Sequence, residues 1–515
     1  MPSARFTLLT ASLVCALIIL DTNIVAVSLP SIARDLSGSF ADIEWVVSAY
    51  LLAFAACLLP AGSLADRFGR QRMLLLGLAV FGAASLACGA APSLLFLDLA
   101  RAAKGVGAAM LLTAALAAIG HRFHEPQARM RAWAFWGACM GATITFAPLL
   151  GGVIASTLGW RWIFYINLPL VAVLALMVLR SVEESRDSDA ARLDPMGSLT
   201  FAGSLGCLIW AMIDANQVGW TSVDTLGRLL ISAFLFSLFI MVERSQPRPM
   251  IDLQLMRSAR FIGALLGMFA YAACAQVMMT LLPLYLQNGL QMSALAAGAG
   301  MLPFAVAMLL MPRVGMRLAG RWSPAQVFAL GLVLVGVGNL LCAWAVGQGG
   351  YLAFALASIV LGAGAGLLNG DTQKNIMACV PRERTGMASG LSTTTRFGAI
   401  VIAIGVLGGV LAARSGQLLR DAVAGVAPEQ LGKVSGMATR VAAGDLQAAL
   451  SLLEPGLREV VAPLAREAFA GGFEAVLVTA GVMALISAVV VGALLSRPLP
   501  AVQQILQADG HTIDH

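Results

Sequence analysis

The sequence predicts an all-α polytopic membrane protein of fourteen transmembrane helices, arranged as two six-helix bundles plus an inserted transmembrane helix pair. Three observations carry this prediction. Of 515 residues, 59% are hydrophobic and only 12% charged, and the mean hydropathy is +0.85, far outside the range of water-soluble chains. Apolar stretches long enough to cross a bilayer recur from end to end. Basic residues gather on alternate connections between them.

Hydropathy and Gly/Pro punctuation place the spans near residues 7–30, 45–65, 73–91, 94–118, 132–157, 162–181, 197–214, 226–243, 261–284, 294–311, 326–346, 351–370, 387–412 and 473–495. The first run lacks an A-x-A-like cleavage site, so it is expected to stay as a helix. With a cytoplasmic N-terminus, fourteen spans bring the C-terminus back to the cytoplasm. The connections assigned there carry most of the loop charge, such as Arg67, Arg70 and Arg72, or Arg313, Arg317 and Arg321. The only basic residues on the short connections of the other side are Arg34 and Arg161. Losing one span would reverse every later loop and destroy that asymmetry. The net charge of +6 therefore reports orientation, and no nucleic-acid partner is expected.

Residues 413–471 form one long outer connection with balanced charges. Helical spacing of Ala, Leu and Val in 429–454 predicts short helices lying on the outer face. A repeat at an offset of about 253 residues relates LLPAGSLADRFGRQR at 58–72 to LLMPRVGMRLAGRWSP at 309–324, and parallel repeats of this kind are a transporter architecture. The resulting organisation is an N-terminal bundle at 1–190, the inserted pair at 191–250, and a C-terminal bundle with the outer loop at 251–515.

Asp21 is the residue that the first span explains least. At 1.5 Å per residue it lies about 21 Å from Thr7 and about 13 Å from Pro30, at membrane depth. An ionisable group there costs a few kcal/mol, so it faces a cavity, finds a partner or moves protons. Arg101 and Lys104, in the fourth span, lie about 10 and about 15 Å from its outer start near Leu94. An Asp21–Arg101 pair across the two spans offsets part of that cost, with Asp98 as a competing partner for Arg101. Three roles stay open for Lys104: a second titrating group, a contact for an anionic group of the substrate, or a partner sharing Asp21.

GSLADRFGRQR at 62–72 closely resembles the loop signature of the major facilitator superfamily. In that family the cluster, here Gly62, Asp66, Arg67, Gly69 and Arg70, is a conformational latch between the halves. The second copy has Gly320 at the position of Asp66, so only the first is expected to latch. LDLARAAKGVGAA at 97–109 resembles the fourth-helix signature, with Lys104 replacing the usual Gln. GACMGATITFAPLLGG at 137–152 resembles the exporter helix motif, carried here by Pro148, Gly151 and Gly152, with Ala147 and Thr143 replacing two glycines.

LDTNIVAVSLP at 20–30, GWRWIFYINLP at 159–169, RLDPMGSL, PMIDLQLMRSARF and LPLYLQNGLQMSALAAG resemble the fourteen-helix drug:proton antiporter branch. That resemblance implies proton-coupled efflux of amphiphilic drugs or toxic compounds by alternating access, in the cell inner membrane, with a small-molecule amphiphilic substrate and protons as partners. It assigns proton or substrate coupling to Asp21; we take proton coupling and group Arg101 and Lys104 with it. Asn23, Trp136, Phe146, Tyr271, Gln276 and Met278 are candidates for an adaptable apolar substrate pocket.

At the repeat offset Asp21 maps to Cys274, and no carboxylate lies mid-span in the second half. In the resembling branch, some exporters of divalent organic cations carry extra membrane acids in the second half, so the resemblance makes doubly charged cations poorer candidates here than monovalent, zwitterionic or neutral amphiphiles. No enzyme activity, metal or cofactor is expected, the proton gradient being the driving force: the chain has no phosphate-binding GxxxxGK[ST] loop and no activated nucleophile. His121 and His124 stand in a basic loop without a third ligand. The eight cysteines stand singly, without a metal or disulfide pattern. A monomer is expected to function. Two alternatives remain at the level of sequence: a dedicated exporter of one metabolite, possibly anionic, and a membrane subunit of a multi-component efflux assembly with a periplasmic adaptor.

Overall fold

The computed structural model describes residues 4–38, 40–123, 125–185, 195–219, 221–245, 255–318, 321–380, 385–426, 437, 449–450 and 455–497. All regular structure among them is helical, as an apolar environment demands of a backbone that must satisfy its own hydrogen bonds. The first half contains α1 (Ala4–Leu36), α2 (Phe40–Phe68), α3 (Arg70–Gly89), α4 (Leu94–Arg122), α5 (Pro126–Thr157), the short α6 (Trp162–Tyr165) and α7 (Asn167–Ser181). Next come α8 (Pro195–Val218) and α9 (Val223–Ser245). The second half contains α10 (Ala259–Tyr271), a π-helical turn (Ala272–Gln276), α11 (Met278–Asn288), α12 (Ala294–Gly300), α13 (Leu302–Leu318), α14 (Pro324–Gly347), α15 (Tyr351–Ala378), α16 (Thr385–Val426) and α17 (Pro455–Leu495).

Twelve of the described helical segments are long and apolar enough to cross a membrane, and two shorter apolar stretches, Trp45–Leu58 in α2 and Met196–Met212 in α8, occupy the remaining expected positions. The chain is thus a multi-pass membrane protein. Several spans are composites: α6 and α7 together make one, α10, the π turn and α11 another, and α12 and α13 a third. Helix starts follow local chemistry. Ser93 accepts the Phe96 N–H at the start of α4, and Ser323 and Gln326 form a reciprocal capping box at the start of α14, satisfying donors that a helix leaves unpaired.

Glycine sets how closely these helices approach. A Cβ at Gly105 of α4 would collide with the Tyr50 carbonyl of α2, and one at Gly362 of α15 with the Phe304 carbonyl of α13. Two residues on, Gly107 lies against Phe81 of α3 and Gly364 against Val335 of α14. The same pair of close crossings therefore occurs in each half, at an offset near 257 residues. Close approach through small residues is how helices gain packing energy where lipid removes the hydrophobic drive.

The two halves meet along a few contacts. A Cβ at Gly152 of α5 would lie 2.6 Å from the Ala294 carbonyl oxygen of α12, and one at Gly298 would lie 2.5 Å from the Pro148 carbonyl oxygen. Gln287 of α11 donates from Nε2 to the Val27 carbonyl at 2.8 Å. Both contacts lie at the end of the molecule where α1 finishes, away from the N-terminus. Nearer mid-helix, Phe54 of α2 meets Phe397 of α16 edge-on at 4.5 Å. Helices α8 and α9 pack on each other and, through α8, against both α2 and α16. They lie along that seam.

The long connection differs from its sequence-based picture. In place of a connection spanning 413–471, α16 runs on unbroken to Val426, and α17 already begins at Pro455. The two extensions pack together, with Gly471 against Leu418 and Gly472 against Ser415. Of the segment 429–454, all but Met437, Ala449 and Leu450 lies outside the described residues.

Candidate functional site

Asp21, Arg101 and Lys104 are each 0% exposed, and they meet. Arg101 donates from Nη1 to Asp21 Oδ2 at 2.8 Å, and Lys104 donates from Nζ to Asp21 Oδ1 at 2.5 Å. Asp21 therefore holds two cations, one on each oxygen. Helix α4 carries both cations at i and i+3, which a helix stacks on one face. Helix α1 presents the carboxylate to that face.

Each cation has further partners that the sequence did not announce. Arg101 Nε donates to the Val46 carbonyl at 2.9 Å, and its guanidinium lies 4.2 Å over the Tyr50 ring. Lys104 Nζ lies 4.6 Å from the Phe81 ring centroid and 5.0 Å from that of Phe164. Asn167 Nδ2 makes a longer contact of 3.3 Å with Asp21 Oδ1. Aromatic faces and carbonyls of this kind offset part of the cost of burying charge. Of the three roles open to Lys104, the geometry displays the sharing of Asp21, sealed inside the first half. Asp98 makes no ion pair among the described residues and leaves Arg101 to Asp21.

The loop cluster between α2 and α3 docks within its own half. Gly69 has φ +108°, a conformation that side chains resist, and a Cβ there would collide with the Glu184 carboxylate. Glu184 accepts the Gln71 N–H at 3.2 Å and lies 3.6 Å from Arg72. Arg70 donates from Nη1 to Ser185 Oγ at 3.3 Å and from its backbone N–H to the Ser185 carbonyl at 3.2 Å. Arg67 is exposed and covers the Phe68 ring at 5.7 Å, and a Cβ at Gly62 would meet the Thr113 side chain of α4 at an ordinary contact distance of 3.9 Å. The Asp66 side chain, Gly320 and His124 lie outside the described residues. Gly69 and Arg70 thus grip the segment after α7, on the opposite end of the molecule from the Gly152–Ala294 contact.

Pro148, Gly151 and Gly152 stay together on α5. Gly151 admits Ile24 of α1 to 2.9 Å from a notional Cβ, while Gly152 and Pro148 form the contact with α12 described above. The small residues therefore act where the two halves seal.

The six pocket candidates do not form one pocket. Met278 is fully buried in packed core, and Phe146 is 54% exposed. Asn23 spends its amide on the Ile19 carbonyl of its own helix at 2.7 Å, and Trp136 packs against the core of the first half beside Cys15. These four are not brought together. Tyr271 and Gln276 are, by a residue that the sequence reading passed over: Arg396 of α16 donates from Nε to Gln276 Oε1 at 2.6 Å and from Nη2 to Asn369 Oδ1 at 3.1 Å. Tyr271 donates its hydroxyl to the same Asn369 oxygen at 3.1 Å.

Comparison with known proteins fits this geometry. Residues 11–406 match the Major Facilitator Superfamily. The chain is 35% identical over 391 residues to the multidrug resistance protein Stp of Mycobacterium tuberculosis (strain CDC 1551 / Oshkosh), covering 76% of this chain and 72% of that one. It is 31% identical over 401 residues to the drug efflux pump JefA of the same strain, covering 77% and 78%. The tetracenomycin C resistance and export protein of Streptomyces glaucescens is 29% identical over 388 residues, covering 75% and 72%. Among solved structures, an inward-facing, occupied bacterial homologue of the human lysosomal transporter Spinster aligns with a TM-score of 0.62 at 16% identity, over 96% of this chain and 97% of that one. That likeness concerns the fold.

Proposed function

Because the chain belongs to the Major Facilitator Superfamily, we propose that it exports amphiphilic small molecules across the cell inner membrane by alternating access, driven by the proton gradient through Asp21. The observation that carries this reading is one carboxylate holding two fully buried cations. The relatives, named as drug efflux pumps and resistance proteins, supply the substrate class and direction. They also favour a transporter over an enzyme.

With the basic end of the molecule, where Arg67 and Arg122 lie, in the cytoplasm, the Gly152–Ala294 and Gln287–Val27 contacts seal the outer end. The state described is then closed to the outside, with an ionised Asp21 between the two cations and ring faces offsetting part of the cost of the remaining positive charge. A proton on Asp21 removes the only anion of the cluster and leaves Arg101 and Lys104 facing each other in an apolar shell. Burying unpaired charge costs several kcal/mol. Protonation from the outer side therefore favours the arrangement in which this cluster loosens, and release of the proton to the cytoplasm restores the closed cluster and the inward site. The bilayer and protons are the necessary partners, and a monomer suffices.

The test uses purified protein in proteoliposomes with imposed pH and voltage gradients applied separately. Asp21→Asn should abolish dye efflux driven by the pH gradient while the protein remains folded. Retained pH-driven efflux in this variant would show that the coupling does not run through Asp21.

A further inference from the structure

We propose that Arg396 is a docking point for an acidic group, a carboxylate or comparable oxyanion, on the transported molecule. The inference rests on the export reading above and names the chemistry of its cargo.

Arg396 lies eleven residues into α16, about 16 Å from the helix start by the 1.5 Å rise, so its guanidinium is at membrane depth. Its side-chain partners are Gln276 Oε1 at 2.6 Å, Asn369 Oδ1 at 3.1 Å and the Tyr271 ring at 5.5 Å. All are neutral. None of the ion pairs among the described residues includes it. Arg101 and Lys104 have Asp21, whereas Arg396 keeps its whole charge.

A purely structural tie between α10, α15 and α16 has no use for that charge. A glutamine or a tyrosine hydroxyl would bridge the same amides without the penalty of a membrane-embedded cation. The guanidinium offers five N–H donors in a fixed fork suited to a carboxylate, and the two amides engage Nε and Nη2. Gln276 and Asn369 hold the fork in place through their oxygens, which leaves Arg396 positioned and unneutralised.

The surroundings fit a ligand site. Arg396, Gln276 and Asn369 are each only half-buried, unlike the sealed cluster of the first half. Gln276 ends the π-helical turn Ala272–Gln276, an irregularity frequent at functional sites, two residues past Cys274, the repeat counterpart of Asp21. Helix α16 abuts the first half through Phe397, the neighbour of Arg396, against Phe54, and α10 continues into α11, which abuts α1. The cluster thus belongs to the helices that border the space between the halves. With Asp21 committed to two cations, an acid on the cargo supplies the anion that this region lacks.

The experiment compares rhodamine B, which carries a carboxylate, with its ethyl ester, the same scaffold without the acid. Binding to the purified full-length protein is read by fluorescence anisotropy, and transport in proteoliposomes under an imposed pH gradient. Wild type should bind the acid at least about tenfold more tightly than the ester, the scale of one charge-assisted hydrogen bond. Arg396→Gln should erase that preference by weakening the acid alone, and Arg396→Lys, which keeps the charge, should retain part of it. Equal affinities in wild type, no binding of the acid, or a parallel loss for both dyes in Arg396→Gln would overturn the proposal. If Arg396→Gln does not fold, the wild-type preference and its survival in Arg396→Lys decide the matter. An acid preference in binding with neither dye moved would sink the export reading and leave this site standing. Efflux of both dyes alike would do the reverse.

Discussion

Gly105 brings α4 onto the Tyr50 carbonyl, and Gly362 brings α15 onto the Phe304 carbonyl in the same way. Around the first crossing stand Arg101 and Lys104. Around the second, at the same offset, stand Ser358, whose hydroxyl bonds the Ala355 carbonyl of its own helix, and the fully buried Leu361. Cys274 takes the place of Asp21. A duplicated scaffold thus carries two chemistries: a sealed cluster of one carboxylate and two cations in one half and a half-buried arginine among neutral amides in the other. Packing constrains the glycines equally on both sides, because backbone cannot move away from a new Cβ. Charge is not so constrained and has diverged.

The largest effect should come from removing the anion of the first half. Asp21→Asn leaves two buried cations without a counter-ion, and breaking a buried pair in this way costs about 3–5 kcal/mol. Thermal denaturation in detergent should show that loss, whereas Cys274→Ala at the equivalent position should cost about 1 kcal/mol. Equal losses would break the comparison.

Next are the glycines, where the halves should behave alike. Gly105→Ala and Gly362→Ala each force a Cβ onto a backbone carbonyl, an overpacking penalty of about 1–3 kcal/mol. A half that tolerated its alanine would have a looser crossing than its twin, and the thermal shift of each variant measures this directly.

Lys104 gives a finer test. Lys104→Met leaves Asp21 paired with Arg101 and removes the surplus cation, so stability should stay within about 1 kcal/mol of wild type. In the Asp21→Asn background the same change removes one of two repelling charges and should be stabilising. The double-mutant cycle should therefore show strong coupling, as expected for groups in one network. Additivity would mean that Lys104 does not depend on Asp21.

The division between packing and charge also decides what the sequence disclosed. Span positions follow from hydropathy alone, and Asp21, Arg101 and Lys104 follow from depth, because an ion in an apolar run is conspicuous. Asn167 lay inside the recognised GWRWIFYINLP stretch, yet nothing in its spacing tells that an amide reaches the carboxylate across the fold. Tyr50, Phe81 and Phe164 look like any buried aromatic until cations are found over them. Arg396 was legible in principle, since it breaks an apolar span as Asp21 does. It stands inside the expected span at 387–412, but its partners Gln276 and Asn369 are ordinary polar residues on two other helices. The pocket candidates scatter for a related reason: aromatic and methionine content does not say which face of a helix a residue occupies, so Met278 is core and Phe146 is exposed.

The smallest effect should be at the turn between α2 and α3. The Arg72 side chain is 70% exposed and 3.6 Å from Glu184, and exposed pairs of this length contribute little against screening and side-chain entropy. Arg72→Ala should therefore change stability by less than about 0.5 kcal/mol. Glu184 keeps its hold without Arg72, because the Gln71 N–H still donates to it and the space that it fills is the one left by the missing Cβ of Gly69. Gly69→Ala should cost more, since it combines an unfavourable φ with a collision against that carboxylate. If the two variants were reversed in rank, by thermal denaturation under low and high salt, the turn would be held by charge and not by backbone geometry. The first half would then rely on exposed ions at this end as well as buried ones at its centre.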